Sequence, residues 1–346
     1  MIKGRGDDTN LAAGGPARHI PVLRAEVMQG LDLHEGGLYL DGTFGAGGYT
    51  RAILSVPGTK VVALDRDPTA IANGQELVAQ AEGRLTLVED QFSNLVAVSE
   101  RLELPPFDGI TLDIGVSSMQ IDEAERGFSF RFDGPLDMRM ARKGVSAADI
   151  VNTASEEVLA DIFYYYGEER ASRRLAKAIV MDRAKEPFLT TRPLAEMMAR
   201  VNPGKPTDIH PATRCFQALR IAVNDELGEL VRALIGAEKL LKDGGRLAIV
   251  SFHSLEDRIV KQFFAARSGR GQARSRLLPG EPIPPQPTFD LPPKQPIIAG
   301  DAETRENPRA RSAKLRVGIR SSAAPRGMDD SLMRLAALPV RETKGR

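Results

Sequence analysis

The sequence predicts an α/β fold, an open doubly wound parallel sheet with an inserted all-helical domain, and three features of the chain carry that expectation. Short runs at 38–41, 60–64, 85–88, 109–113 and 246–252 are almost continuously apolar, as parallel strands covered on both faces are. Helical patterns at 50–54, 68–80, 94–103 and 225–241 fall between them and supply the crossovers that parallel pairing needs. The fourth and fifth runs are separated by far more chain than one crossover uses. Within that gap, 147–201 has helical periodicity: Val158, Ile162 and Tyr165, then Leu175, Ile179 and Val180, then Leu194, Met197 and Met198.

The expected organisation is a flexible N-terminus at 1–18, a sheet domain made of 19–134 and 212–320, an inserted helical domain at 135–211, and a flexible C-terminus at 321–346. Both ends lack an apolar period. A late run at 313–319, after a proline-rich loop at 279–296, reads as an antiparallel edge strand.

Composition bounds the function. At 346 residues, 42% apolar and 27% charged, the chain has the make-up of an ordinary soluble globular protein larger than one core usually organises. Its single cysteine, Cys215, reads as a buried thiol; it excludes an internal disulfide and a cysteine-rich zinc site, and no metal is expected. No apolar run approaches the roughly 20 residues that span a bilayer, and the N-terminal stretch lacks a signal-peptide core, so the expectation is a cytoplasmic protein with no membrane partner. A net charge of +1 gives little whole-molecule attraction for nucleic acid. Local basic runs remain, Arg267, Arg270, Arg274 and Arg276, and then a stretch from Arg305 to Arg320, each either a solvated surface or a phosphate-binding patch.

The first strand runs into Asp41-Gly42-Thr43-Phe44-Gly45-Ala46-Gly47-Gly48-Tyr49-Thr50, a glycine-rich turn opening a helix. In a doubly wound sheet that is where ligands bind: glycines allow close backbone approach, and the helix start offers unpaired N–H groups. Asp65 ends the second strand about twenty residues past the turn, where a carboxylate accepts from both hydroxyls of a ribose. That placement suits NAD and S-adenosylmethionine equally. The dinucleotide fingerprint wants Gly or Ala where Thr50 stands, which weakens NAD, and no Gly-Lys-Ser/Thr closes the turn as a P-loop would. Beyond the third strand, Phe92 is placed to flank an adenine ring; beyond the fourth, Asp113 to Ser118 puts a carboxylate and hydroxyls beside the same pocket.

These residues resemble one family, the bacterial ribosomal RNA small subunit methyltransferase H family, formerly MraW. The resemblance runs from His19 to Ser312 through long blocks, among them Asp41-Gly42-Thr43-Phe44-Gly45, Leu64-Asp65-Arg66-Asp67-Pro68 and Asp113-Ile114-Gly115-Val116-Ser117-Ser118. It continues through Glu125-Arg126-Gly127-Phe128-Ser129-Phe130, Gly134-Pro135-Leu136-Asp137-Met138-Arg139-Met140, His210-Pro211-Ala212-Thr213-Arg214 and Ser251-Phe252-His253-Ser254. It implies a Rossmann-like class I S-adenosylmethionine methyltransferase sheet. It also implies N4-methylation of one cytosine, nucleotide 1402 by convention, in the decoding region of 16S rRNA, with the 30S subunit as partner. The resemblance places the methyl donor on Gly45, Gly47, Gly48 and Tyr49, Asp65 at its ribose, Phe92 at its adenine, and Asp113 and Gln120 near its methionine end. Many members carry histidine where this chain has Tyr49, which matters little for a backbone contact. Oligomeric state is open, a homodimer included.

Methyl transfer to an exocyclic amine is an in-line displacement that needs positioning more than a metal or a covalent nucleophile. Cytosine N4 has its lone pair delocalised, so acceptors aimed at its hydrogens should raise its reactivity and disperse the charge that develops. Asp113 and the turn through Ser117 are the candidate acceptors, with Asp137 and His253 behind them for orienting the base or relaying a proton. Arg126, Arg139, Arg214, Arg258, Arg309 and Arg311 lie in the motif blocks and are the candidate RNA contacts. The inserted helices, with Tyr164, Tyr165, Tyr166, Arg170, Arg173, Arg174 and Lys177, form the expected second wall of an RNA cleft; Phe128, Phe130 and Phe132 read as packing against them sooner than as faces that receive a splayed base. An N4-cytosine or N6-adenine DNA methyltransferase would carry a Pro-Pro-aromatic motif after the fourth strand, where this chain has Ile114-Gly115-Val116. A non-catalytic RNA-binding factor would tolerate loss of the glycine turn and Asp65, and both are intact.

Overall fold

The computed structural model describes residues 21–204, 210–269 and 285–339. The expected N-terminal tail, Arg270, Arg274, Arg276 and the first part of the proline-rich loop lie outside the described residues.

Among the described residues eight strands form one sheet: β1 Leu38–Asp41, β2 Lys60–Asp65, β3 Leu85–Glu89, β4 Phe107–Asp113, β5 Leu241–Ser251, β6 Phe289–Asp290, β7 Ile297–Ile298 and β8 Lys314–Arg320. Their order is β3-β2-β1-β4-β5-β8-β6, with β7 also paired to β8. The first five are mutually parallel and β8 runs antiparallel to β5. The chain winds outward from β1 to β3, then returns to lay β4 on the other side of β1. At that reversal the crossovers leave in opposite directions, which opens a crevice at the carboxyl ends of β1 and β4.

The strands are continuously apolar because alternate residues serve two cores. Leu40, Val62, Ile110, Leu112, Leu247 and Ile249 point to one face, where helices Glu226–Leu240 and Ser254–Ser268 cover them. Tyr39, Val61, Ala63, Ala248 and Val250 point to the other, under helices Arg24–Leu31 and Gly48–Leu54. The run read as an edge strand is antiparallel but is not an edge, since β6 and β7 pair along its outer side. Strands of two residues are too short to leave a periodic signal.

Between β4 and β5 the chain forms helices Ala147–Thr153, Glu156–Asp161, Ser172–Arg183, Thr191–Val201 and Ala212–Asn224, and a π-helical turn at Ile162–Tyr166. Their apolar side chains gather in a cluster of their own around Leu159, Phe163, Leu175, Ile179, Leu194 and Met198. The stripe read through Val158, Ile162 and Tyr165 is corrected. Val158 and Tyr165 are exposed, while Leu159, Ile162 and Phe163 face inward, because Leu159 and Phe163, four apart, hold the buried face and the wide π turn rotates Tyr165 outward. Helix Ala212–Asn224 serves both cores: Cys215, Phe216 and Leu219 enter the helical cluster and Ile221 the sheet's. Burial pushes the Cys215 thiol pKa up. Among the described residues no helix is long and apolar enough to cross a membrane.

Within the C-terminal stretch expected to be flexible, residues 321–339 are described and pack on the fold. Helix Asp330–Ala336 inserts Leu332 and Ala336 into the main core. The buried Arg267 guanidinium contacts Asp329 at 2.9 Å, and the Tyr166 hydroxyl donates to the Ala336 carbonyl at 2.9 Å. Two apolar anchors and two polar ties give no periodicity to read. Replacing Leu332 by Ala is expected to cost about 2–5 kcal/mol in urea denaturation; a change below about 0.5 kcal/mol would mean that this helix is not docked.

Candidate active-site cleft

The turn after β1 is built on a buried carboxylate. Asp41 accepts from the Thr43 N–H at 3.1 Å and the Thr50 hydroxyl at 2.7 Å, tying the turn to the helix that follows; burial raises its pKa against those bonds. Gly47 turns the chain at φ 76°. At Gly48 a side chain would sit 2.2 Å from the Pro21 ring, so only glycine lets the helix start meet the segment entering the sheet. Tyr49 is buried and donates its hydroxyl to the Val22 carbonyl. Its side chain fastens that segment, and the difference from histidine falls on an anchor.

Along the ends of β1, β2 and β4 lies a cavity of about 370 Å³, within the range of small-molecule sites. Gly45, Gly48, Tyr49, Asp65, Phe92, Asp113, Ser117, Gln120 and His253 all line it; Gly47 shapes the turn behind. Asp65 accepts from the Gly45 N–H at 2.7 Å and the Asp67 N–H at 2.8 Å, and burial, opposed by those bonds, pushes its pKa up to about 6. Asp113 donates its N–H to the Thr43 hydroxyl at 2.7 Å. Its Oδ1 is buried with no hydrogen-bond partner among the described residues. Burial, and after it the charges of Asp41 and Glu256, push its pKa up to about 8.

Ser117 and Gln120 are occupied by structure. Ser117 caps helix Ser118–Asp122, its hydroxyl accepting from the Gln120 N–H at 3.3 Å while the Gln120 side chain accepts from the Ser117 N–H at 3.1 Å. The Gln120 amide also donates to Asp67 at 2.9 Å. Asp137 is not brought to the cleft: it forms a two-pronged pair with Arg139, at 2.9 and 2.6 Å, in the segment before the inserted helices.

The far wall holds a charged cluster that sequence reasoning found only at His253. Arg220 pairs with Glu226 through two hydrogen bonds of 2.8 and 2.9 Å. His253 caps helix Ser254–Ser268 with its Nε2 2.9 Å from Glu256 Oε1. Glu256 is fully buried. Burial works to raise its pKa, but His253 and Arg220 outweigh that and hold it below the usual carboxylate range. Glu226, His253 and Glu256 bring ligand-type atoms within 4.8 Å of one another, as a metal site does. Both Glu226 oxygens already accept from Arg220.

The six arginines divide. Arg126 is buried, donating to Asp67 at 2.7 Å and to the Arg139 and Met140 carbonyls at 3.1 and 3.0 Å, so it is a bolt between the β2 end and the segment after β4 and offers nothing to phosphate. Burial works to raise the Asp67 pKa, but Gln120 and Arg126 hold it below its ordinary value. Arg139 is half-buried on Asp137. Arg214 and Arg258 both reach Glu168, at its carbonyl and carboxylate respectively. Arg309 lines the cleft mouth and meets Asp122 at 3.4 Å, and Arg311 is exposed beside it. Arg66, Gln217, Asn307 and Ser312 also line the cleft and were not singled out. Gln217 and Arg220 follow a motif block at a spacing of three, but the sequence does not say which face of that helix meets the sheet.

A profile of the MraW methylase family matches residues 16–321. The chain belongs to that family. A relative named ribosomal RNA small subunit methyltransferase H, from Methylocella silvestris, is 68% identical over 346 residues, the whole of both chains. Another of that name, from Beijerinckia indica, is 66% identical over 98% of this chain and 96% of its own. A third, from Bradyrhizobium diazoefficiens, is 60% identical over 91% and 94%. MraW methylases use S-adenosylmethionine, and the cleft fits a cationic cofactor, because Asp113 Oδ1 is a buried acceptor that lacks a partner.

The Arg126 pair gives a stability prediction. Arg126→Ala leaves the Asp67 charge buried without its cation and is expected to cost about 3–5 kcal/mol, whereas Arg311→Ala at the surface should stay within about 0.5 kcal/mol. Equal melting temperatures for the two variants in thermal denaturation would refute the buried role.

Proposed function

We propose that this protein methylates small-subunit ribosomal RNA with S-adenosylmethionine as donor, and that the acceptor is N4 of one cytosine in the decoding region of 16S rRNA, within the 30S subunit in the cytoplasm. The observation that carries the reading is Asp113, a buried carboxylate with an unmet oxygen at the switch point of the sheet. Full-length similarity to three proteins named for small-subunit rRNA supports the substrate class. The absence of Pro-Pro-aromatic after Asp113 speaks against a DNA base.

When bound, S-adenosylmethionine supplies an activated methyl group on a sulfonium sulfur. Gly45 and Gly48 offer backbone surface to the donor, Asp65 accepts from its ribose hydroxyls, and Phe92 flanks the adenine. Asp113 serves both the donor and the incoming base: its carboxylate accepts an N4 hydrogen and stabilises the positive charge that develops on the amine. Ser117 and Gln120 act by holding the turn beside Asp113, and His253 by ordering the opposite wall. The base must leave its stack to reach this depth. Outside the cleft, Arg309 and Arg311 form one edge of the RNA path. The other edge is the helical domain, where Tyr164 and Tyr165 are exposed and Arg170, Arg173, Arg174 and Lys177 make an exposed basic face.

Incubating the protein with methyl-labelled donor and 30S subunits lacking the modification should put label into N4-methylcytosine at the decoding region, identified by mass spectrometry of nuclease digests. Label in another nucleoside would overturn the N4 assignment. Asp113 adds a pH test. With its pKa near 8 it is mostly protonated at pH 7, and a cationic donor favours the carboxylate. Donor binding should therefore release a proton near pH 7 and weaken as pH falls below about 8. Calorimetry in two buffers of different protonation enthalpy measures this, and identical heats in both would remove Asp113 from the donor site.

A further inference from the structure

Arg220 is fixed more firmly than any surface contact requires. It stands on helix Ala212–Asn224, three residues after Gln217, so both side chains share the face that lines the cleft. Its Nε and Nη2 are taken by Glu226, whose side chain is 5% exposed. The turn carrying Glu226 is itself pinned. The Asn224 side chain accepts from the Met140 N–H at 2.9 Å and donates to the Met138 carbonyl at 2.7 Å, and its own carbonyl accepts from Arg66 at 3.0 Å. Asp225 adopts a left-handed φ of 49° to reverse the chain there. Two edges of the guanidinium are thus satisfied, while Nη1 makes no hydrogen bond to the described residues and is not sealed from the cleft. A planar cation held on two sides presents its third side as a rigid donor.

Gln217 and His253, on the same side of the cleft, already face partners within the protein. The Gln217 amide donates to the Tyr166 carbonyl at 3.3 Å, and His253 is paired with Glu256. Arg309 sits at the mouth with Asp122. Asp113, on the strand side, is an acceptor, and Arg220, on the helix side, is a donor. A cytosine edge has that polarity: N4 donates, whereas N3 and O2 accept. A uracil offers an oxygen at position 4, which the Asp113 carboxylate repels, and an N–H at position 3, which leaves only its O2 for Arg220.

We propose that Arg220, oriented by Glu226, reads the N3/O2 edge of the target cytosine and is the residue that distinguishes it from uracil. The assignment rests on the cytosine reading above. The Glu226 carboxylate offsets the guanidinium charge, so the donor edge is offered without placing a net cation against an amine that becomes positive during the reaction. Arg220 is therefore a specificity residue, separate from the acceptor at Asp113.

The test is a cycle between residue and substrate atom, using 30S subunits whose 16S rRNA carries either cytidine or 3-deazacytidine, which lacks the N3 acceptor, at the target position. Wild-type protein is expected to lose about ten- to hundredfold in kcat/KM on the deaza substrate, the range for a hydrogen bond from a charged donor. The R220M/E226Q variant removes both buried charges together; it should be slower on cytidine and lose little more on 3-deazacytidine. The intrinsic change in amine reactivity is common to both proteins and cancels in the comparison. An equal fold-loss in wild type and variant would overturn the assignment. So would a wild-type protein that binds the two substrates with equal affinity in the presence of S-adenosylhomocysteine, a result that needs no variant to fold and does not depend on amine reactivity. Native 30S subunits run alongside keep the two failures apart, because wild type that forms no N4-methylcytosine there refutes the cytosine reading itself.

Discussion

The cleft depends on Thr43, which bridges two strands at the point where the sheet reverses. Its N–H donates to Asp41 at the end of β1 and its hydroxyl accepts from the Asp113 N–H at the end of β4. The strands themselves pair only as far as Asp41 with Thr111. Beyond that register the ladder no longer holds them, and a side chain must. With Thr43 in place, the glycine turn and the Asp113 turn stand on opposite sides of one crevice.

The same arrangement concentrates carboxyl groups where water is scarce. Asp41, Asp65 and Asp113 end three successive strands of the sheet, and burial raises the pKa of each. Asp41 and Asp65 are met by hydrogen bonds from the protein itself. At Asp113 the Oδ1 is left over. That oxygen carries the cost of burial until a ligand meets it.

The sequence made the sheet legible because both faces are covered, so the strands are apolar without interruption. The glycine turn and the carboxylates at strand ends were legible for the same reason, since a polar residue closing an apolar run stands out. Side-chain direction was not. Arg126 and Arg139 look like phosphate ligands in a motif block, yet one is a buried bolt and the other is held by Asp137. Arg220 looks like an ordinary helical arginine and faces the cleft. Such differences are set by which partner lies across the fold, as when Arg66 reaches the Asn224 carbonyl 158 residues away, and local pattern carries no trace of them. Val158 and Tyr165 show the same limit on a smaller scale, where a single π turn shifted the buried stripe.

The last strand among the described residues does not lie at the sheet's edge. β8 pairs with β5 on one side and with β6 and β7 on the other, and the segment before it supplies Asn307, Arg309 and Ser312 to the cleft. Glu303 reaches back across the whole chain to accept from the Leu23 N–H at 2.6 Å, on the strip that Tyr49 anchors. A chain still emerging during synthesis therefore has β1 to β5 available long before it has a finished pocket. Contacts between the first and last parts of a sequence form late, because the loop they close is the longest. Synthesis as far as the segment before β8 is in this sense part of the site's assembly, because the pocket has no finished wall until that segment has been made.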